Sequence, residues 1–253
     1  MTSEMNSRDR TRSILVFIAT IAMIVFNGLA ATGYVNGITP EVVSGRYETV
    51  MTPAGYAFSI WTLIYVGLFG LSIYQMLPSN IFRFRSVRSL YIVSCFLNCA
   101  WIFFWHREQI GICLGVIFAL AAILLVLLKR FRRPGLEDGQ VFTKAIFGLY
   151  GGWVTAAALV NFSVFMRYAG VDISSMGWNA LAVALLLIAA ALAVFVRLKL
   201  KNYLYSLAIA WAATAIAVKQ SGNTAVVVAA SICVIVCLVM AVSFVMDQKS
   251  TTS

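Results

Sequence analysis

Eight stretches of this 253-residue chain run without a formal charge, at 14–34, 52–75, 90–105, 110–128, 145–166, 176–196, 203–218 and 224–246. A helix rising ~1.5 Å per residue needs about 20 apolar residues to cross ~30 Å of hydrocarbon. Inside that layer every backbone N–H and C=O must be satisfied within the chain, which leaves helices or a closed barrel. Apolar runs of this length, unbroken by two-residue alternation, are helices. Only 11% of the residues are charged, with 62% hydrophobic, against roughly 25% charged in soluble domains. The expected fold is therefore all-α, a polytopic membrane bundle of eight transmembrane helices, and no soluble domain is left over.

The charge distribution tests that count. Eight spans put alternate connections on opposite sides of the bilayer, and 15 of the 19 Lys and Arg residues fall in the N-terminal tail, the second, fourth and sixth connections and the C-terminal tail. The other side holds Arg46, Arg107, Arg167 and Lys219, one per connection. A missed or spurious span would scramble this alternation, and the bias places both termini in the cytoplasm. The net charge of +10 is thus a matter of topology and anionic lipid headgroups, and nucleic acid is not an expected partner. The tail 1–13 reads as polar and disordered, and 247–253 closes the chain. Arg8, Arg10 and Arg12 ahead of an apolar run ending near Ala30 and Ala31 also have the shape of a signal peptide. Cleavage there would leave the orientation of the other spans unchanged. The run at 52–75 opens on Pro53, which suits the first turn of a helix. In the fourth connection, Pro134-Gly135 is a helix breaker.

No Asp, Glu, Lys, Arg or His lies inside any of the eight runs. An ionisable group at depth costs at least ~2.5–3.5 kcal/mol and is usually retained for proton relay, ion binding or catalysis. Its absence weakens all three, so no catalytic residue is assigned. Cys95, Cys99, Cys113, Cys233 and Cys237 all lie in apolar runs, and the single His106 sits at a helix end. A zinc site needs four ligands of these types, so the cysteines read as small, polarisable packing residues and no metal site is assigned.

Aromatic and amide groups at helical spacing occupy the spans instead. Trp61 and Tyr65 are four apart, Asn98, Trp101 and Trp105 are spaced i, i+3, i+7, and Tyr150, Trp153, Ala157 and Asn161 are spaced i, i+3, i+7, i+11. Each set shares one helical face. Packing alone is one reading: Asn amides bond across membrane helices for ~0.6–2 kcal/mol, and terminal tryptophans such as Trp105 and Trp178 anchor at the interface. A mostly apolar pocket with convergent polar tips is the other. From spacing the two stand level. The connection 36–51 is long for a bundle, as binding lids often are.

Three motifs in order resemble those of the translocator protein family, also called tryptophan-rich sensory proteins or peripheral benzodiazepine receptors. They are Trp61-Thr-Leu-Ile-Tyr65 with Pro53 eight residues ahead, Leu97-Asn98-Cys-Ala-Trp101 followed by Phe103-Phe104, and Tyr150 with Trp153-Val154, Ala157 and Asn161. The resemblance covers about 14–168, five helices, and looks like the longer bacterial-type branch with three helices appended at 169–246. It implies a five-helix pocket capped by the loop after the first helix, lined by Trp61, Tyr65, Asn98, Trp101, Tyr150, Trp153, Ala157 and Asn161. It also implies a bacterial inner-membrane location and a hydrophobic or tetrapyrrole ligand such as protoporphyrin IX or haem, with no further cofactor. Some family members degrade porphyrin in light. Where the family has Gly-Pro before the helix-two Trp, this chain has Phe58-Ser59; Thr52 and Leu149 replace two further prolines. Three readings follow: a ligand-binding sensor or transporter-like protein, a small-molecule permease, or a membrane enzyme acting on a porphyrin or isoprenoid-like substrate. Membrane lipids are the other expected partners, and a homodimer is left open.

Overall fold

The computed structural model describes residues 2–132 and 140–243; the Pro134-Gly135 breaker and the tail 247–253 lie outside them. Within the described residues the chain is all helix and turn. The elements are α1 (Thr2–Ala31), a short α2 (Pro40–Arg46), α3 (Ile60–Tyr74) preceded by a 3-10 turn (Gly55–Ser59), α4 (Arg88–His106), α5 (Ile110–Arg130), α6 (Gln140–Tyr168), α7 (Ser175–Leu200), α8 (Leu204–Lys219) and α9 (Thr224–Val242). Seven are long and apolar enough to span a membrane, counting the 3-10 turn with α3, and α8 is a shorter apolar helix. The polytopic helical bundle expected from the apolar runs is what forms.

α6 is the axis of the bundle. It packs on α5 and α8, with α3 closing more thinly against it, while α4 bridges α5 to α1. The appended helices attach through α8, which lies between α6 and α9, with α7 against α9. Without a hydrophobic drive between helices in lipid, close backbone approach and interhelical hydrogen bonds carry association. Both occur at α6–α8. Gly148 and Gly152 are spaced to face one neighbour, and a Cβ on Gly152 would sit 2.1 Å from the Tyr205 carbonyl oxygen. The Tyr205 hydroxyl meets Thr155 Oγ1 at 2.7 Å, and Asn202 Nδ2 donates to the Lys144 carbonyl at 2.7 Å. Alanines at 208, 210, 212, 213 and 215 bury most of the α8 surface, as expected of a helix apolar on every side.

Three features depart from the sequence reading. The N-terminal tail is helical from Thr2, and Asp9 and Ser13 are buried. The cause is a polar cluster: Asp9 pairs with Arg85, whose Nε donates to Oδ1 at 2.9 Å, and Arg88 Nη1 lies 3.6 Å from the same oxygen. Arg88, placed by sequence in a connecting turn, is instead the first residue of α4 and only 2% exposed. It donates to Gln75 Oε1 at 2.8 Å and the Ile81 carbonyl at 2.6 Å, and Gln75 Nε2 donates to the Ser13 carbonyl at 2.9 Å. The third departure is at Pro53, which does not begin a helix. Ala54 after it is extended (φ −63°, ψ 146°), and its N–H donates to the Ala215 carbonyl of α8 at 2.9 Å. The chain then tightens through the 3-10 turn and enters α3 at Ile60.

Candidate functional site

The eight residues that the resemblance assigns to a pocket converge on one cavity. Trp61, Tyr65, Asn98, Trp101, Tyr150, Trp153, Ala157 and Asn161 all line it, between α3, α4 and α6. Periodicity explains why: each set occupies one face of its helix, and those faces meet at the axis. The rings interlock. Trp61 stands edge-on to Trp101 with centroids 6.3 Å apart, and lies 6.3 Å from Tyr65. Phe58 sits edge-on to both Trp61 (5.5 Å) and Trp153 (6.2 Å). Such edge-to-face pairs align the positive ring edge with the negative ring face.

Amides fix the polar tips. Asn27 of α1 donates through Nδ2 to Asn98 Oδ1 at 2.8 Å, and Asn98 Nδ2 donates to the Tyr150 hydroxyl at 3.0 Å. One chain of bonds thus joins α1, α4 and α6. Trp101 Nε1 donates to Asn161 Oδ1 at 3.1 Å, while Asn161 Nδ2 returns to the Ala157 carbonyl at 2.8 Å. The indole N–H groups of Trp61 and Trp153 find no acceptor among the described residues. They are unpaired donors on two cavity-lining side chains.

Trp105 was read from sequence as an interface anchor, and its place is different. It is 3% exposed, stacked on Trp101 at 5.5 Å, and lines the cavity. Its Nε1 donates to the Pro40 carbonyl at 3.1 Å, which pins α2 over the site as a cap. Asn36 Nδ2 donates to the His106 carbonyl at 2.8 Å, and Tyr47 donates to Glu108 Oε2 at 2.7 Å, beside the Arg46–Glu108 ion pair. That bond, followed by burial and the Glu108 charge, pushes the Tyr47 hydroxyl up to about 12. The 36–51 connection is therefore an ordered cover. Sequence spacing also missed Ser44, Ala212 and Ile216, which complete the lining from α2 and α8. Serine, alanine and isoleucine carry no spacing signal, and the aromatic residues of α8, Tyr205 and Trp211, bond instead to Thr155 and the Ala57 carbonyl.

The free space is about 60 Å³, enough for a few waters but far below the ~300–1,000 Å³ of a drug-sized pocket. The site is closed. On its lipid side a groove of about 700 Å³ runs between α1 and α3, walled by Ile21, Ile24, Val25, Val66 and Phe69. Phe58, Trp61 and Tyr65 line both spaces, so these three rings are the partition between them. No His, Cys or Met lines the cavity, and among the described residues no cluster of His, Cys, Asp or Glu could hold a metal ion.

The sequence profile of a family described as TSPO-like protein matches residues 13–243. The chain belongs to that family. The match runs through α7, α8 and α9 as well as the five helices that carry the motifs, so the appended helices are part of this TSPO-like unit. No curated protein and no solved structure gives a match to the chain.

Proposed function

We infer that this TSPO-like protein binds a hydrophobic or tetrapyrrole-type molecule in the cavity between α3, α4 and α6, for sensing or transport. One observation carries the reading: four indoles, two phenols and two amides from three helices meet at a single buried space. Flat rings gain by stacking and edge contacts with indoles, and the two spare indole N–H groups suit a carbonyl or carboxylate on the ring's periphery. The lining offers a haem iron no His, Cys or Met, leaving only the phenols of Tyr65 and Tyr150, and Tyr150 already accepts from Asn98; a metal-free macrocycle needs no such ligand. Binding requires the narrow cavity to widen, and the thinly packed α3 with its preceding turn, bearing Trp61, Tyr65 and Phe58, is the wall that yields. The lysine and arginine bias supports both termini in the cytoplasm, so the α2 cap faces the other side of a bacterial inner membrane.

The test is a titration of purified protein with protoporphyrin IX, read as the absorbance change of the bound porphyrin. Saturable binding that weakens at least tenfold in Trp153→Ala is expected. Non-saturable partitioning, identical in wild type and variant, would overturn the reading.

A further inference from the structure

We propose that α8, one of the appended helices, is both a wall of the ligand site and the latch on its movable partition, so that ligand choice in this chain is set partly from outside the five-helix core. The inference rests on the cavity being a ligand site, and adds which residues tune it.

The contact is a set of directional bonds between α8 and the segment 49–59. Ala54 N–H donates to the Ala215 carbonyl at 2.9 Å. Trp211 Nε1 donates to the Ala57 carbonyl at 2.9 Å, with Tyr56 edge-on to the same indole at 5.3 Å. One turn beyond Ile216, Gln220 Nε2 donates to the Thr49 carbonyl at 3.2 Å. Ala54, between Pro53 and the 3-10 turn, is extended; its carbonyl is taken by the Ala57 N–H at 3.0 Å, and its own N–H turns to α8. α8 supplies the partners, the Ala215 carbonyl as acceptor and the Trp211 indole as donor.

The latched segment carries Phe58, whose ring bears on both Trp61 and Trp153. On the adjoining face of α8, Ala212 and Ile216 line the cavity directly. A single helix therefore holds the partition shut and shapes the space behind it. In lipid, where water does not compete, such backbone bonds act as a hinge restraint. Widening the cavity means moving Phe58, and moving Phe58 strains the bonds to Trp211 and Ala215. The appended helices also reach α6 independently, through Tyr205–Thr155 and the Gly152 contact. α8 is thereby fixed, and the segment 53–59 is the part that gives.

Two variants separate wall from latch. Trp211→Phe keeps the ring against Tyr56 but removes the N–H donor; its loss corresponds to about a two- to tenfold shift in an opening equilibrium. Hydrogen exchange of the Ala54–Ala57 amides in the intact detergent-solubilised protein should speed up by that factor, and protoporphyrin IX should associate and dissociate faster to a similar degree. Ala212→Leu pushes a larger side chain into the cavity and should weaken protoporphyrin IX at least tenfold with helix content unchanged. Thermal unfolding followed by circular dichroism verifies that both variants fold; if Ala212→Leu does not, Ala212→Val serves. The exchange measurement needs no ligand, so unchanged exchange in Trp211→Phe overturns the latch even if no porphyrin binds. Wild-type binding that is lost in Trp153→Ala but unaltered in Ala212→Leu overturns the wall while leaving the ligand site standing. Absence of wild-type binding instead counts against the ligand reading itself.

Discussion

Removing the Asn27–Asn98 hydrogen bond should uncouple α1 from α4 by a measurable energy. The two side chains are 1% and 7% exposed, and the bond between them is 2.8 Å long. Each has a second partner, Asn27 on the Met23 carbonyl at 2.9 Å and Asn98 on Tyr150 at 3.0 Å. Asn98→Ala therefore leaves Asn27 with its local bond and deprives the Tyr150 hydroxyl oxygen of its donor, while Asn27→Ala costs the Asn98 oxygen its partner. Single substitutions thus mix bond loss with desolvated leftovers of ~1–3 kcal/mol. The double-mutant cycle cancels those leftovers. Bonds between membrane helices average ~0.6 kcal/mol and reach ~1.7, and this one is a link in a buried chain of three groups, so a coupling of about 1–1.5 kcal/mol is expected. Reversible unfolding of Asn27→Ala, Asn98→Ala and the pair in a mixed-micelle denaturant titration gives that number. Energies that add to within about 0.3 kcal/mol would refute the claim that this bond ties the two helices together.

Asp9→Ala should destabilise the fold by about 3–5 kcal/mol in the same unfolding assay, since it strands the buried Arg88 beside Arg85 without a counter-ion. Arg88 substituted together with Asp9 by apolar residues should recover much of that loss. Tyr47 gives a pH signature. Its hydroxyl titrates at about 12, above the usual 10, because it donates to Glu108; the cap's stability is therefore full below pH 10 and falls as pH rises from there through about 12. Glu108→Gln should bring the tyrosinate absorbance transition back toward 10, and a transition that stays put would deny the contact.

Much of the site was legible because its residues obey one periodicity. Tyr150, Trp153, Ala157 and Asn161 had to share a face once α6 was a helix, and that face had to be buried once α6 lay among neighbours. What spacing could not give was which neighbour. Trp105 stands at the end of α4, where an indole normally meets the interface; it is buried because α2 folds over it and offers the Pro40 carbonyl, a tertiary event with no local signal. Arg88 shows the same limit. A charge next to an apolar run reads as the turn before a helix, yet Asp9, distant in sequence, neutralises it inside the bundle. Pro53 looked like a helix start, and the bond from Ala54 to α8 overrode that preference. The contribution of Ala212 and Ile216 was invisible for a simpler reason: alanine and isoleucine are what every apolar helix contains.

The central claim is that a ligand occupies the space enclosed by Trp61, Trp101 and Trp153, and Ala157→Phe tests it most directly. Ala157 lines the cavity, so a phenyl ring there fills it while all six tryptophans of the chain remain as fluorescent reporters. Titration with protoporphyrin IX should quench wild-type tryptophan fluorescence saturably and should lose the saturable phase in Ala157→Phe at unchanged helix content. Equal saturable quenching in the two proteins would place the ligand elsewhere and contradict the account.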